Sequence, residues 1–346
     1  MPIDPAPAAP AETSALPATM RAWRVTRTGE PVDVLELHEI ERPEPAPGEV
    51  LVRTSAVAIN FPDVLLARGE YQVRPDPPFV PGIELAGTVA ALGEGVDGVA
   101  VGDRVVGSKI GVLAEYATVP AEAVRLAPES LDDAAAAALT IAYQTAWFGL
   151  HRRAALQPGE WLLVHAAAGG VGSAAVQLGV AAGARVIGVV GSEAKAETAR
   201  AAGAEIVLVR GRDDLIPAIQ AATGRHGVDV VFDPVGGDAF AVSTKTIAFE
   251  GRIVVVGFAG GTIQSVRPEH ALVKNYSVLG LHWALYQQLR PELVEAAHAE
   301  LAALAAAGRI APVVDDVVPF ERAPEAVQRL AGGATTGRLV VRVADR

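Results

Sequence analysis

The 346-residue chain has no cysteine, two methionines and only 5% aromatic residues. Without cysteine there is neither a disulfide nor a thiolate metal site, and a reducing, cytoplasmic setting is the expectation. No apolar run is long enough to span a membrane, because Gly, Arg or acidic residues interrupt every candidate, so no membrane contact is expected. Basic residues are also scarce: 29 Lys and Arg face 40 Asp and Glu, a formal net charge of −11. That balance argues against nucleic acid as a partner, but leaves room for a local phosphate site. Met1 to Thr19 is rich in Pro and Ala and lacks the basic start and apolar middle of a secretion signal. It reads as a disordered leader, with Met20 opening the folded body; whether Met1 or Met20 is the true start stays open.

What is present is a large apolar fraction, 51%, on a chain long enough for about two domains. From Arg21 to Val119, short alternating segments separated by Gly and Pro turns predict a compact β domain, with a short helix within Asn60–Gly69 and a Pro-rich loop over Tyr71–Pro81. After Leu131 the pattern changes to helices alternating with apolar strands, the signature of a parallel sheet. Predicted helices include Asp132 to about Thr140, Tyr143–Arg153, Phe240–Phe249 and an Ala-rich amphipathic helix over 291–307. The late strands near Val313, Val317 and Leu339–Val343 alternate too strongly to extend that sheet, and are returned to the first domain. The expected division is a leader over 1–19, a β-rich domain over 20–144 with 285–346, and a dinucleotide-binding domain over 145–284.

The organising stretch is Trp161–Gly172, a buried strand running into Gly169-Gly170-Val171-Gly172 and then an Ala/Val-rich helix. Strand, glycine turn, helix and strand make a dinucleotide-binding unit, with Ala167, Gly169 and Gly172 in the fingerprint positions. The backbone of Ala168, Gly169, Gly170, Val171 and Gly172 is expected to meet a diphosphate at the helix entrance. The second strand ends at Val190-Gly191-Ser192, without the terminal acid that binds a ribose diol; Glu193 stands two residues late. Ser192 and Lys195 suit a 2′-phosphate, with Arg338 beside them if the C-terminal strand returns. NADPH is therefore the expected cofactor. Asp233–Gly237, including Val235, and Gly257-Phe258 close later strands and are expected near the cofactor. Asp233 has a second reading as a cap for local N–H groups. His165 reads as a packing or hydrogen-bonding residue behind the turn, and His282 as a satisfied core histidine.

Several longer runs carry a resemblance: Asn60-Phe61-Pro62-Asp63, Pro81–Gly87, His165–Gly172, Asp233–Gly237 and Lys274-Asn275-Tyr276-Ser277. With these, the chain resembles the zinc-independent quinone oxidoreductases of the medium-chain dehydrogenase/reductase superfamily. The resemblance implies an α/β fold, a GroES-like β domain joined to a Rossmann doubly wound cofactor domain, with NADPH in the cleft and a homodimer formed through the cofactor domains. It also implies that Asn60, Asp63 and Tyr71 lie near the nicotinamide or substrate, and that Thr145 touches the nicotinamide end. Relatives often carry a tyrosine at the end of the third strand, where this chain has Val209-Arg210; either Arg210 replaces it through a charge contact or the contact is lost. The zinc ligands of metal-dependent relatives are absent at Ala58–Asn60 and at Ile83, and the seven histidines show no paired ligand spacing, so no metal is expected.

With no metal to polarise an alcohol, the expected acceptor is already electrophilic: a quinone or another conjugated carbonyl. The charge that develops on its oxygen needs a donor, for which the amide of Asn60 and the phenol of Tyr71 are the candidates, with Asp63 orienting. An enoyl-CoA or 2-alkenal reductase of the same superfamily is the alternative, with Arg68, Arg74 and Arg267 as candidates for a basic entrance. A non-catalytic NADPH-binding protein is the reading from another class.

Overall fold

The computed structural model describes residues 16–344. Strand β1 (Thr19–Val25), a single helical turn α1 (Pro31–Val34) and strand β2 (Leu35–Glu41) form an antiparallel ribbon, Thr19 facing Glu41. The expected leader lies outside the described residues over 1–15. Ala18 already belongs to the body, because its carbonyl accepts the Arg42 N–H at 3.0 Å.

A β domain follows: β3 (Glu49–Ile59), α2 (Phe61–Arg68), β4 (Leu85–Leu92), β5 (Arg104–Gly107), β6 (Tyr116–Pro120), β7 (Val124–Leu126) and α3 (Asp133–Ala137). Helix α4 (Thr140–Trp147) crosses into the second domain and continues as a π turn over Phe148–Arg153. There the chain alternates regularly: β8 (Trp161–His165), α5 (Gly170–Ala181), β9 (Arg185–Val190), α6 (Ala196–Ala201), β10 (Ile206–Val209), α7 (Leu215–Ala222), β11 (Val228–Asp233), α8 (Asp238–Thr246), β12 (Ile247–Val255), α9 (Pro268–Lys274) and β13 (Ser277–Gly280). Helices α10 (Trp283–Leu289) and α11 (Pro291–Ala306) lead back to β14 (Val314–Pro319), α12 (Ala323–Ala331) and β15 (Arg338–Arg342).

Two sheets organise these elements. The parallel sheet runs β10-β9-β8-β11-β12-β13. Its strand order reverses between β8 and β11, which opens a crevice at their carboxyl ends. Buried strands such as Leu162, Leu163 and Val164, all at 0% exposure, are apolar on both faces because helices cover both. The other sheet runs β14-β15-β3-β4-β5-β7, with β6 also pairing to β3. Its core gathers Val50, Val52, Ile59, Leu85, Val89 and Val341 beneath α12, whose Ala323, Ala326 and Val327 face inward.

The α/β fold expected from the sequence is the fold observed, and several local expectations shift. The helix expected from Asp132 to about Thr140 ends at Ala137, with Asp132 capping it by accepting the Ala135 N–H at 2.8 Å, and a new helix, α4, starts at Thr140. The helix expected over Phe240–Phe249 ends at Thr246, because Ile247 pairs with Val228 and is buried at the sheet. Residues 285–310, which the domain division gave to the β domain, touch both domains: Gln287 Nε2 donates to the Ser108 carbonyl at 3.2 Å and His298 Nε2 lies 3.0 Å from the Leu126 carbonyl. Leu301, Ala305 and Ile310 share a core with Leu162 and Val164, while Val294 and Ala297 pack on Phe148 and Trp283. An amphipathic Ala-rich helix has no address of its own; the aromatic surface of Phe148 and Trp283 supplies it. His282, expected in a core, is exposed ahead of α10.

Candidate active site

The glycine turn sits where β8 leaves the sheet. Ala166, at φ 51°, starts the bend, and Gly169 precedes the first helical residue without a side-chain cap. The N–H groups of Gly170, Val171 and Gly172 open α5 and have no carbonyl one turn back, leaving donors and the positive end of a helix dipole directed at one spot. A Cβ on Gly172 would stand 2.0 Å from the Ala166 carbonyl oxygen, so only glycine lets the helix begin this close to the strand. Ala167 and Ala168 are buried beneath it. A diphosphate on backbone donors fits this cradle, and the residues that would hold it are Ala168 to Gly172.

The β domain closes over the turn. Gly337 N–H donates to the Ala168 carbonyl at 2.6 Å, and Gly337 bridges Gly169. The antiparallel register sets Leu339 of β15 against Ile59 of β3, which brings Arg338 to Asn60. The Arg338 side chain runs over Gly170: a Cβ there would meet its Cδ at 2.6 Å. Arg338 is only 5% exposed; its guanidinium pairs with Glu84 and donates through Nη1 to Asn60 Oδ1 at 2.7 Å. The Arg338 Nε is buried without a partner among the described residues, an unspent donor beside the glycine turn.

Glu84, fully buried, is the hub that sequence reasoning did not assign. It accepts from Arg338, from Asn60 Nδ2 at 3.0 Å and, through its other oxygen, from the Ile141 N–H at 2.6 Å. Burial pushes its carboxyl up, opposed by Arg338, Asn60 and the Ile141 N–H. Asn60 spends its other amide hydrogen on the Ala58 carbonyl at 3.0 Å. In this arrangement the Asn60 side chain has no N–H left for a substrate oxygen. Asp63 holds the local backbone instead, its carboxylate accepting the Asn60 N–H at 2.8 Å and the Gly82 N–H at 3.1 Å. Burial pushes the Asp63 carboxyl up to about 7, against the pull of the Asn60 N–H, Arg338 and the Gly82 N–H. Tyr71 is partly buried near Asp63; burial first, then the Asp63 charge, raises its phenol above the usual range.

The remaining expected residues fall into three groups. Thr145 is buried on α4. Val235, Gly257 and Phe258 lie where the loops after β11 and β12 zip together: Ala259 N–H bonds the Pro234 carbonyl and Gly260 N–H the Val235 carbonyl, each at 3.0 Å. Asp233 Oδ1 accepts the Val235 and Gly236 N–H groups, both at 2.9 Å, so it caps that loop. At the far end, Ser192 precedes a turn holding Lys195, whose ammonium donates to the Gly333 carbonyl at 2.6 Å across the cleft. The Arg210 guanidinium lies 3.5 Å from where a Cβ on Gly191 would stand. Glu193, the acid near the ribose position, is paired with Arg212. His165 stays behind the turn, bonded to Ser243 Oγ at 2.9 Å, and burial lowers its pKa. Among the described residues no group of three His, Asp or Glu side chains is placed to hold a metal ion.

A GroES-like β domain, a parallel six-stranded cofactor sheet and a glycine-turn cradle between them define a medium-chain dehydrogenase/reductase. Residues 46–129 match the alcohol dehydrogenase GroES-like domain and residues 170–303 match the zinc-binding dehydrogenase domain. The chain belongs to the quinone oxidoreductase-like proteins of that superfamily: it is 36% identical over 323 residues to bovine (Bos taurus) quinone oxidoreductase-like protein 2, covering 93% of each chain. It is also 33% identical over 321 residues to the mycocerosic acid synthase-like polyketide synthase of Mycobacterium tuberculosis, spanning 92% of this chain and 15% of that one. The solved structure of mycobacterial Rv1454c complexed with NADPH superposes with a TM-score of 0.87 at 32% identity, over 94% of this chain and 100% of that one.

Proposed function

We propose that the protein is an NADPH-dependent reductase that delivers hydride to a quinone or another conjugated carbonyl, without a metal. The observation that carries this reading is the cradle of Gly170–Gly172 N–H groups with the Arg338 side chain over Gly170, its buried Nε unpaired among the described residues. The cofactor supplies hydride chemistry when bound; the chain's own groups bind, orient and stabilise charge. Backbone donors at α5 and Arg338 hold the diphosphate, and Lys195, Ser192 and Arg210 face the 2′-phosphate. The loops at Val235 and Gly257-Phe258 wall the nicotinamide side, and Thr145 backs it from α4. Asn60 and Asp63 fix the turn between β3 and α2. Tyr71 is the donor to the charge that forms on the acceptor oxygen, since the Asn60 amide is committed elsewhere. The missing zinc ligands at Ala58–Asn60 and Ile83 favour acceptors that need no Lewis acid.

The likeness to a polyketide synthase segment supports the second reading, reduction of an enoyl thioester or 2-alkenal on the same site. A homodimer through the cofactor domain is supported by β13 at the sheet edge, beside exposed Leu272 and Val273 on α9, each 76% exposed. Anaerobic oxidation of NADPH and NADH with a panel of quinones, enals and enoyl-CoA thioesters tests the assignment. The expected result is turnover with NADPH and at least one conjugated acceptor. Turnover with NADH but not NADPH overturns the cofactor, and none with any conjugated acceptor leaves the non-catalytic, binding-only reading.

A further inference from the structure

The end of the cofactor site beyond Ser192 holds an arrangement that the reading above does not use. Arg212 is fixed from behind. Its Nε and Nη2 donate to the two oxygens of Asp213 at 2.8 and 2.7 Å, and Asp213 in turn accepts the Val209 N–H at 2.7 Å at the end of β10. The Arg212 guanidinium beside it, with the Val209 N–H, holds the Asp213 carboxyl at about 2, so this anchor keeps its charge at any working pH. The remaining edge of the guanidinium, Nη1, is turned to Glu193, one residue past Ser192. Arg200 approaches the same carboxylate at 4.0 Å. Glu193 is thereby drawn away from the ribose diol that an acid in this region normally binds.

We propose that Glu193 occupies, in the free protein, the anion position that the cofactor's 2′-phosphate takes over, making Arg212 and Glu193 determinants of NADPH over NADH. This rests on the NADPH reading. A guanidinium pre-oriented by one carboxylate, with its free edge on a second, exposed one, is a fork for a charged oxygen group. Glu193 is 61% exposed at its side chain and starts a short turn, so it leaves without disturbing a core. A 2′-phosphate brings more charge to the fork than a carboxylate does, and a 2′-hydroxyl brings none to compete with it.

Titration of the full-length protein with NADPH and with NADH, followed calorimetrically, tests this on three chains. In Arg212→Ala the NADPH Kd is expected to rise about tenfold, the loss of one charge-assisted contact, while the NADH Kd stays within about twofold. In Glu193→Gln the NADPH Kd is expected to fall by about threefold or more, with NADH unchanged, because the competitor has lost its charge. Unchanged NADH binding also shows that each variant folds. If both variants bind NADPH as the parent does, the inference fails while the NADPH preference stands. If the parent binds NADH as tightly as NADPH, the cofactor reading itself fails and takes the inference with it.

Discussion

The two ends of the cleft are built by opposite means. At the diphosphate end the site is backbone: small residues at Ala167–Gly172 let strand and helix meet, and the donors are main-chain N–H groups. Where the β domain meets that turn it is side chains: Asn60, Glu84 and Arg338 come from three separate parts of the β domain, with the Ile141 N–H from the crossover helix, and all three side chains are buried together. The first solution tolerates almost no added volume, and the second almost no lost charge. A backbone site is vulnerable to sterics, a buried ionic one to incomplete pairing.

The largest effect is expected at the hub. Glu84→Ala leaves the Arg338 guanidinium buried without its carboxylate, and urea unfolding should show a loss of about 3–5 kcal/mol, the usual cost of breaking a buried pair from one side. Glu84→Gln, which keeps the shape but not the charge, should lose nearly as much; a much smaller loss would mean that packing rather than charge holds this end together. Next is Gly172→Ala. Its Cβ has to escape the Ala166 carbonyl, so helix and strand separate, costing about 1–3 kcal/mol in the same assay and abolishing measurable NADPH binding. Normal binding in that variant would break the contrast between the two ends.

Asp63 sharpens the comparison through pH. Its folded-state pKa of about 7 lies above the ordinary carboxyl value, so the folded protein holds the proton more tightly than the unfolded chain. The contribution of Asp63 is therefore most favourable below about pH 4 and declines as pH rises to about 7. Asp63→Asn, compared with the parent by urea unfolding from pH 4 to 8, should lack that decline; parallel curves would mean that the group does not titrate there. The smallest effect is expected for Lys195→Met. The bond to Gly333 is exposed, so stability should change by less than about 1 kcal/mol, while discrimination between NADPH and NADH should narrow.

The same contrast explains what was legible in the sequence. The glycine turn is contiguous, and Trp161–Gly172 announces both its strand and its helix within a single short run. Glu84 stands inside the run Pro81–Gly87, yet nothing local says that its partners are Asn60 and Arg338, 254 positions away in the second case. Only the antiparallel register of β3 and β15 makes them neighbours, and register is tertiary information. Arg338 was expected beside the 2′-phosphate; it lies over Gly170, beside the helix entrance. The address of α11 was hidden for a related reason: its Ala-rich sequence names no partner, and the helix packs on Phe148 and Trp283 while His298 reaches the Leu126 carbonyl of the β domain.

Strand β15 lies inside the second sheet, between β14 and β3, yet follows every strand of the parallel sheet in chain order. During synthesis, therefore, the ribosome delivers β3 to β7 long before their last inner neighbour exists. The parallel sheet is complete in the nascent polypeptide while Ala56–Ile59 of β3, beyond the part that β6 covers, still lacks its partner. Arg338 reaches Glu84 only when that gap is filled.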